Sequence, residues 1–348
     1  MTLAELGWDA FFADAFGPYE QDGLVPARVV ARHHGAWELL AEQGPLGGLA
    51  AGRLEDDDLP ATGDWVAARP LPGERKALIE AVLPRRSAFT RKEAWRRTAE
   101  QVVAANVDVV FLVTAFGLDL NPRRIERYLT ASWESGASPV IVLNKLDTAS
   151  DPDAEAAPIE AVAAGVPVHR VSAATGEGLE ELRAHLGAGR TGALLGSSGV
   201  GKSTLVNALA GRQVMDTGGV RLDDERGRHT TSHRELVPLG GDRGLVLDTP
   251  GMRELQLWAD EDALETTFAE IAELAAACRF ADCAHEAEPG CAVRAALADG
   301  RLAEERWASY GKLQRELRAL AVKQDLRLRS EEKRERRRFA RSRRKAAW

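Results

Sequence analysis

The chain has little cysteine and no long apolar run. Three cysteines occur among 348 residues, an odd number that a framework of disulfides would not leave, and all three fall between positions 278 and 291. No stretch approaches the roughly eighteen apolar residues that a membrane helix needs, so no membrane partner is expected. The first residues carry Glu5, Asp9 and Asp14, whereas a secretory signal opens with positive charge ahead of an apolar core. There is no internal repeat. One low-complexity stretch, rich in Ala, Asp, Glu and Pro between Ser150 and Ala164, reads as a surface helix or loop. These absences leave a cytoplasmic protein in a reducing compartment as the expectation, and the length suggests two or three domains.

What is present is a set of short motifs in an unusual order. Asn144-Lys145-Leu146-Asp147 precedes the segment Gly196-Ser197-Ser198-Gly199-Val200-Gly201-Lys202-Ser203, whereas ordinary GTPases carry the two the other way round. The second segment fits the phosphate-loop pattern G-x-x-x-x-G-K-[ST] without a mismatch. An apolar run, Ala193 to Leu195, reads as the strand before it, and Ser203, Thr204 and the residues to Leu209 have the composition of the helix after it. Glycines at 196, 199 and 201 let successive N–H groups turn toward phosphate oxygens at the positive end of that helix. Lys202 would then reach the β and γ phosphates, and the Ser203 hydroxyl would bind Mg²⁺.

A phosphate loop does not distinguish ATP from GTP; the earlier tetrapeptide does. An ionised Asp147 only accepts hydrogen bonds and can take two from guanine N1–H and the 2-amino group, which adenine lacks. Twenty-five residues after Asp147 come Ser172 and Ala173, similar to the guanine-proximal loop of GTPases, where the Ala173 N–H would contact the base oxygen. Downstream, the apolar run from Gly244 to Leu247 delivers Asp248-Thr249-Pro250-Gly251, a D-x-x-G pattern in which Asp248 serves the Mg²⁺ shell and the Gly251 amide senses the γ phosphate. Before it, the polar segment from Gly227 to His233, preceded by Gly218 and Gly219, reads as a switch loop. One of its threonines should complete the metal shell; Thr231 is favoured, with Thr230 the alternative. Met252 follows Gly251, where many GTPases place a glutamine that orients the attacking water. Methionine has no group for that task, and His229 is the nearest polar candidate, since a neutral imidazole can position water or accept its proton.

Beyond the nucleotide motifs, Cys278, Cys283, His285 and Cys291 fall within fourteen residues. Four soft ligands at this spacing suit a closed tetrahedral Zn²⁺ site, and with no open position for water the ion would be structural. A disulfide would leave one thiol over and make no use of His285. Zinc would lock a small module with too little apolar sequence to fold alone.

Charge is distributed unevenly. Residues 326–348 hold eleven Lys/Arg and three Glu, a local balance of +8 against -7 for the whole chain, which leaves -15 for residues 1–325. Runs such as Lys333 to Arg338 and Arg341 to Lys345 are dense enough to favour RNA. A second basic stretch, from Arg85 and Arg86 through Arg91 and Lys92 to Arg96 and Arg97, reads as a linker or a further basic patch. Before it, short apolar segments separated by Gly, Pro and acidic turns have the spacing of a small β barrel, although periodicity does not separate barrel from sandwich. After it, strands from Val107, Val140 and Val168 alternate with helices, one opening at Asn121-Pro122 with Ile125, Tyr128, Leu129 and Trp133 on one face. That alternation argues a parallel sheet covered on both faces.

With these residues in place the chain closely resembles the small ribosomal subunit biogenesis GTPase A family (RsgA, also called YjeQ), from Arg28 to the C-terminal helix. Gly63-Asp64-Trp65-Val66 looks like the family's OB-domain signature, and Ala104-Ala105-Asn106-Val107-Asp108 looks like its entry into the permuted G domain. Asp248 to Leu255 and the Cys3His spacing also match. The switch from Gly227 departs at Ser232, where a third threonine is usual, and the substitution keeps a hydroxyl. The resemblance implies a multidomain α/β fold: an OB-fold barrel with an N-terminal extension over 1–86, a basic linker over 87–98, a circularly permuted P-loop GTPase domain over 99–257, and a helical zinc-binding domain with a basic tail over 258–348. It further implies a monomeric late assembly factor of the 30S subunit that binds 16S rRNA and hydrolyses GTP to GDP with Mg²⁺, stimulated by the subunit, with release coupled to hydrolysis. Two other classes share some of these motifs. An RNA-binding module with GTP as a structural ligand is supported by Met252. A GTP-dependent metal-delivery protein would need an open, exchangeable site, against which the closed Cys3His set argues.

Overall fold

The computed structural model describes residues 1–33, 35–52, 54, 59–92, 100–117, 119–163, 165–215, 235–248, 261–280, 282–286 and 288–317. They fall into two compact units, Met1–Gln256 and Leu257–Trp348.

The first unit begins with a helix, α1 (Ala10–Glu20), capped by the Asp9 carboxylate, which accepts from the Phe11 amide. Five strands follow: β1 (Val25–Arg32), β2 (Trp37–Ala41), β3 (Gly44–Ala50), β4 (Trp65–Pro70) and β5 (Lys76–Val82). They pair in the order β1-β2-β3-β5-β4, and β4 returns to β1, so the sheet closes into a barrel. Alternation along β2 sends Trp37, Leu39 and Ala41 inward beside Val29, Val66 and Ile79, with Glu38 left outside. Helix α1 packs on the outer face of β1 and β4, where its Phe12, with Trp8, lies against the buried Trp65. Within the stretch expected as a basic linker, Ala88–Lys92 forms β6, paired antiparallel with β7 (Glu100–Ala105); residues 93–99 lie outside the described residues.

Next comes an α/β layer: β8 (Val109–Ala115), α2 (Pro122–Ser135), β9 (Ser138–Asn144), α3 (Pro152–Glu160), β10 (Val168–Arg170), α4 (Leu179–Arg183), β11 (Thr191–Leu195), α5 (Lys202–Ala210), β12 (Glu235–Pro238) and β13 (Leu245–Asp248). Asn121 caps α2 through its side chain, and Pro122 opens the helix where no N–H is missed. The stretch around Ser150 contains α3, with Asp151 as its cap. Strand order is β10-β9-β8-β11-β13-β12, parallel throughout except for β12. Every residue of β8 is buried: Val110 and Leu112 face one core, Val109, Phe111 and Val113 the other. That explains its unbroken apolar run, since helices cover both faces of the sheet.

A buried arginine lies at the join between barrel and sheet, beside the pairing of β1 with β12. The fully buried Arg28 of β1 donates to Gly63 O (2.9 Å), Leu6 O (2.5 Å), Asn106 O (3.0 Å) and Thr191 Oγ1 (3.1 Å). Burial pushes its guanidinium down to about 10, with Asp108 and Asp64 acting the other way, so it is charged at neutral pH. Asn106, held in the left-handed region at φ 54°, also donates to Gly63 O (3.1 Å), and Asp108 accepts from the Thr191 amide (2.7 Å). The two signature segments around Gly63 and Asn106 thus form the seam between barrel and G domain.

The second unit contains α6 (Glu261–Thr267), α7 (Ala269–Ala276), α8 (Ala292–Ala298) and a helical segment at 304–317. Leu264, Phe268, Ile271, Val293 and Leu313 form its core. The arginine-rich run after 326 lies outside the described residues. Among the described residues no helix is long and apolar enough to cross a membrane.

Candidate functional site

The nucleotide motifs that fall among the described residues leave the sheet at the C-terminal ends of its strands. Because β8, β9, β10, β11 and β13 are parallel, the loops after their C-terminal ends line one crevice, the usual ligand position in such sheets. Asn144 ends β9, Ser172 follows β10, the phosphate loop follows β11, and Asp248 ends β13 beside it. The rotated chain order therefore still yields a single site: β8 to β10 come first in sequence yet flank β11 in space.

The phosphate loop is shaped by close backbone approach. A Cβ at Gly196 would lie 2.2 Å from Val113 O, and one at Gly201, where φ is 93°, would lie 2.5 Å from Asn144 Nδ2. Neither position admits a side chain. The loop feeds α5, whose first residues are Lys202, Ser203 and Thr204, and Lys202 Nζ arches back to donate to Gly196 O (2.8 Å) and Ser197 O (2.6 Å). Its charge thus sits over the loop, next to the N–H groups that open the helix.

Asn144 ties three loops together. Buried at the end of β9, it donates from Nδ2 to Val200 O (2.8 Å) and accepts from the Ala173 amide at Oδ1 (3.0 Å). Sequence reasoning placed Asn144 in the site without this bridging role, which requires the fold. Lys145 adopts a left-handed conformation at φ 63°, turning the chain so that Asp147 is exposed. The buried Ser172 hydroxyl donates to Asp147 Oδ1 (2.5 Å), leaving the other carboxylate oxygen without that constraint. The Leu146 amide donates to Val171 O (3.0 Å), fixing the turn against β10. A base oxygen reaching the Ala173 N–H would share that donor with Asn144. Gly251, Met252, His229, Thr230 and Thr231 lie outside the described residues, as does the Asp248 side chain.

The Cys3His residues converge in the second unit. Ligand atoms of Cys278, Cys283, His285 and Cys291 all lie within 4.8 Å of one another, and no other group of three or more His, Cys, Asp or Glu does so among the described residues. Cys278 Sγ is 3.9 Å from Cys291 Sγ and 3.6 Å from His285 Nδ1, which is 3.4 Å from Cys291 Sγ. A tetrahedral ion with bonds of about 2.3 Å to sulfur and about 2.0 Å to nitrogen requires S···S near 3.8 Å and S···N near 3.5 Å. The four side chains therefore fit a closed metal centre. Backbone amides support the sulfurs: Ala292 N–H donates to Cys278 Sγ (3.3 Å) and Arg294 N–H to Cys291 Sγ (3.4 Å), the latter capping α8. Burial pushes the Cys283 thiol up to about 11, whereas at Cys278 burial is outweighed by the combined hydrogen bonds of the Val293 and Ala292 amides and the neighbouring cysteines, which hold that thiol below its usual value. Three thiolates this close need a cation between them.

Comparison with known proteins agrees with this geometry. Residues 82–258 match the family model described as RsgA GTPase. The chain is 53% identical over 330 residues to the small ribosomal subunit biogenesis GTPase RsgA of Opitutus terrae, covering 91% of this chain and 90% of that protein. It is 46% identical over 339 residues to the protein of the same name from Streptomyces coelicolor, covering 96% and 92%. The crystal structure of YjeQ from Thermotoga maritima superposes with a TM-score of 0.64 at 29% identity, covering 84% of this chain and 98% of that one. The match to the family model and identities of 46% and 53% over more than nine-tenths of the chain show that it belongs to the RsgA GTPase family, a GTP hydrolase with a circularly permuted G domain.

Proposed function

We propose that the protein is a cytoplasmic, monomeric assembly factor of the small ribosomal subunit, which binds the 30S particle and its 16S rRNA and hydrolyses GTP to GDP when engaged there. The single observation that carries this reading is the Asn144 bridge, which brings a guanine-reading loop and a phosphate loop to one edge of a sheet joined to a β barrel. Asp147 reads guanine N1–H and the 2-amino group; Ala173 serves the base oxygen. The N–H groups of Gly196 through Thr204 cradle the phosphates and the Lys202 ammonium neutralises them. Ser203, Thr231 and Asp248 would hold Mg²⁺, which would supply positive charge to the phosphates. Gly251 senses the γ phosphate, and His229 holds the attacking water. The barrel with its extension (1–86) and the basic segment (87–98) contact RNA, the G domain spans 99–257, and 258–348 is a zinc module with a basic tail. GTP turnover measured with and without purified 30S subunits is expected to rise with the subunits. Turnover unchanged by them would leave GTP as a static ligand of an RNA-binding protein.

The metal of the second unit is structural zinc in this reading. Purified protein then contains about one zinc per chain. Cys283→Ser loses that metal and destabilises residues beyond 258 while nucleotide binding is largely kept, because the nucleotide loops belong to the other compact unit. Metal analysis and GTP titration of the same sample check both halves; stoichiometric zinc retained in the variant would overturn the ligand assignment.

A further inference from the structure

Away from both sites, two histidines face each other across the end of the G-domain sheet. His169 lies in the middle of the edge strand β10, and His185 lies two residues beyond α4. Their Nε2 atoms are 2.8 Å apart. On the far side of the first ring, His169 Nδ1 is 3.4 Å from Glu181 Oε2, and the second ring stands edge to face against Phe111, centroids 6.5 Å apart. Neither ring is fully exposed.

Each of these contacts has a consequence for the nitrogen lone pairs. Glu181 only accepts, so it fixes the proton of a neutral His169 on Nδ1 and leaves a lone pair on Nε2. Without a cation, His185 Nε2–H donates into that lone pair. If His185 takes its alternative tautomer, with the proton moved through solvent from Nε2 to Nδ1, two lone pairs converge on one point and no net proton is released. A carboxylate behind the imidazole, orienting the ring and raising its basicity, is the arrangement that supports metal-bound histidines.

We propose that His169 and His185 form a second metal site, for a divalent late transition ion, with Glu181 as the residue that orients His169. Geometry selects the class of ion. With metal–nitrogen bonds of about 2.1 Å, a separation of 2.8 Å corresponds to an N–metal–N angle of about 84°, which suits adjacent corners of an octahedral or tetragonal Ni²⁺ or Cu²⁺ centre more than a tetrahedral one. Water completes the shell, since among the described residues no third His, Cys, Asp or Glu joins the pair as a direct ligand. An ion here clips β10, which delivers Ser172 two residues after its end, to the segment that runs from α4 into β11 and the phosphate loop.

The test uses the full-length protein with its Cys3His centre saturated with zinc, titrated with Ni²⁺ by calorimetry. One further equivalent is expected to bind saturably. His169→Asn and His185→Asn each abolish that equivalent while zinc content stays at the wild-type value, and Glu181→Gln weakens it by about tenfold rather than abolishing it. Since a variant may be lost to misfolding, paramagnetic broadening by Ni²⁺ in the wild-type protein provides an independent reading: the ring resonances of His169 and His185 broaden first. Absence of a further equivalent, unchanged affinity in both asparagine variants, or broadening centred elsewhere would each overturn the site.

Discussion

Asp147→Asn is expected to turn the protein from a GTP binder into an XTP binder. The wild-type carboxylate only accepts, and guanine offers it N1–H and the 2-amino group; the amide that replaces it presents a donor to that amino group. The charge-assisted bond to the 2-amino group is replaced by a donor–donor contact, a loss of about 1.5 to 3 kcal/mol, so GTP affinity should fall by about ten- to a hundredfold. Xanthine has an oxo group at the same position and accepts from the new amide. The loop itself should survive, because the Ser172 hydroxyl that donates to Asp147 Oδ1 can donate equally to an amide oxygen. Titrations with GTP and XTP on both proteins give the result directly. An unchanged preference for GTP would remove Asp147 from the base site.

His229→Ala is expected to keep GTP affinity and 30S association and to lose subunit-stimulated hydrolysis by on the order of a hundredfold, the usual size of acid–base or water-positioning help. Met252 cannot orient water, and His229 adjoins the threonines assigned to Mg²⁺. Binding of the subunit would order the switch and bring the imidazole over the γ phosphate. Single-turnover measurements at saturating 30S separate a chemical defect from a binding defect. Wild-type stimulation in the variant would leave the water to be positioned by backbone groups or by the ribosome.

Much of the nucleotide site can be read from the sequence because its chemistry is local: a glycine-rich loop needs a strand before it and a helix after it, and both fall within a few residues of Gly196 and Lys202. Metal ligation is equally local, with the four ligands inside fourteen residues. What escapes is long-range. Arg28 looks like any strand arginine until the fold brings Thr191, 163 positions away, to its guanidinium. Strand β6 carries the basic composition of a connecting segment, and only its pairing with β7 shows what it is. Helix α1 is obscured by Gly17 and Pro18, residues that ordinarily argue against a helix. The histidine pair is invisible for the same reason as Arg28, since nothing in the spacing of 169 and 185 announces a shared contact.

The Arg28 seam has a thermodynamic consequence. Its bonds run to the N-terminal segment, the barrel, the entry to β8 and the first residue of β11, and β1 also pairs with β12 at Ala31 and Glu235. Parting the barrel from the G domain would break the Arg28 bonds to Asn106 O and Thr191 Oγ1, each a bond from a charged donor worth about 1.5 to 3 kcal/mol. Partial opening along that line is therefore unfavourable. The barrel and the GTPase core should melt in one cooperative transition, and a barrel removed by truncation would leave behind a G domain whose phosphate-loop strand has lost the partner at its root.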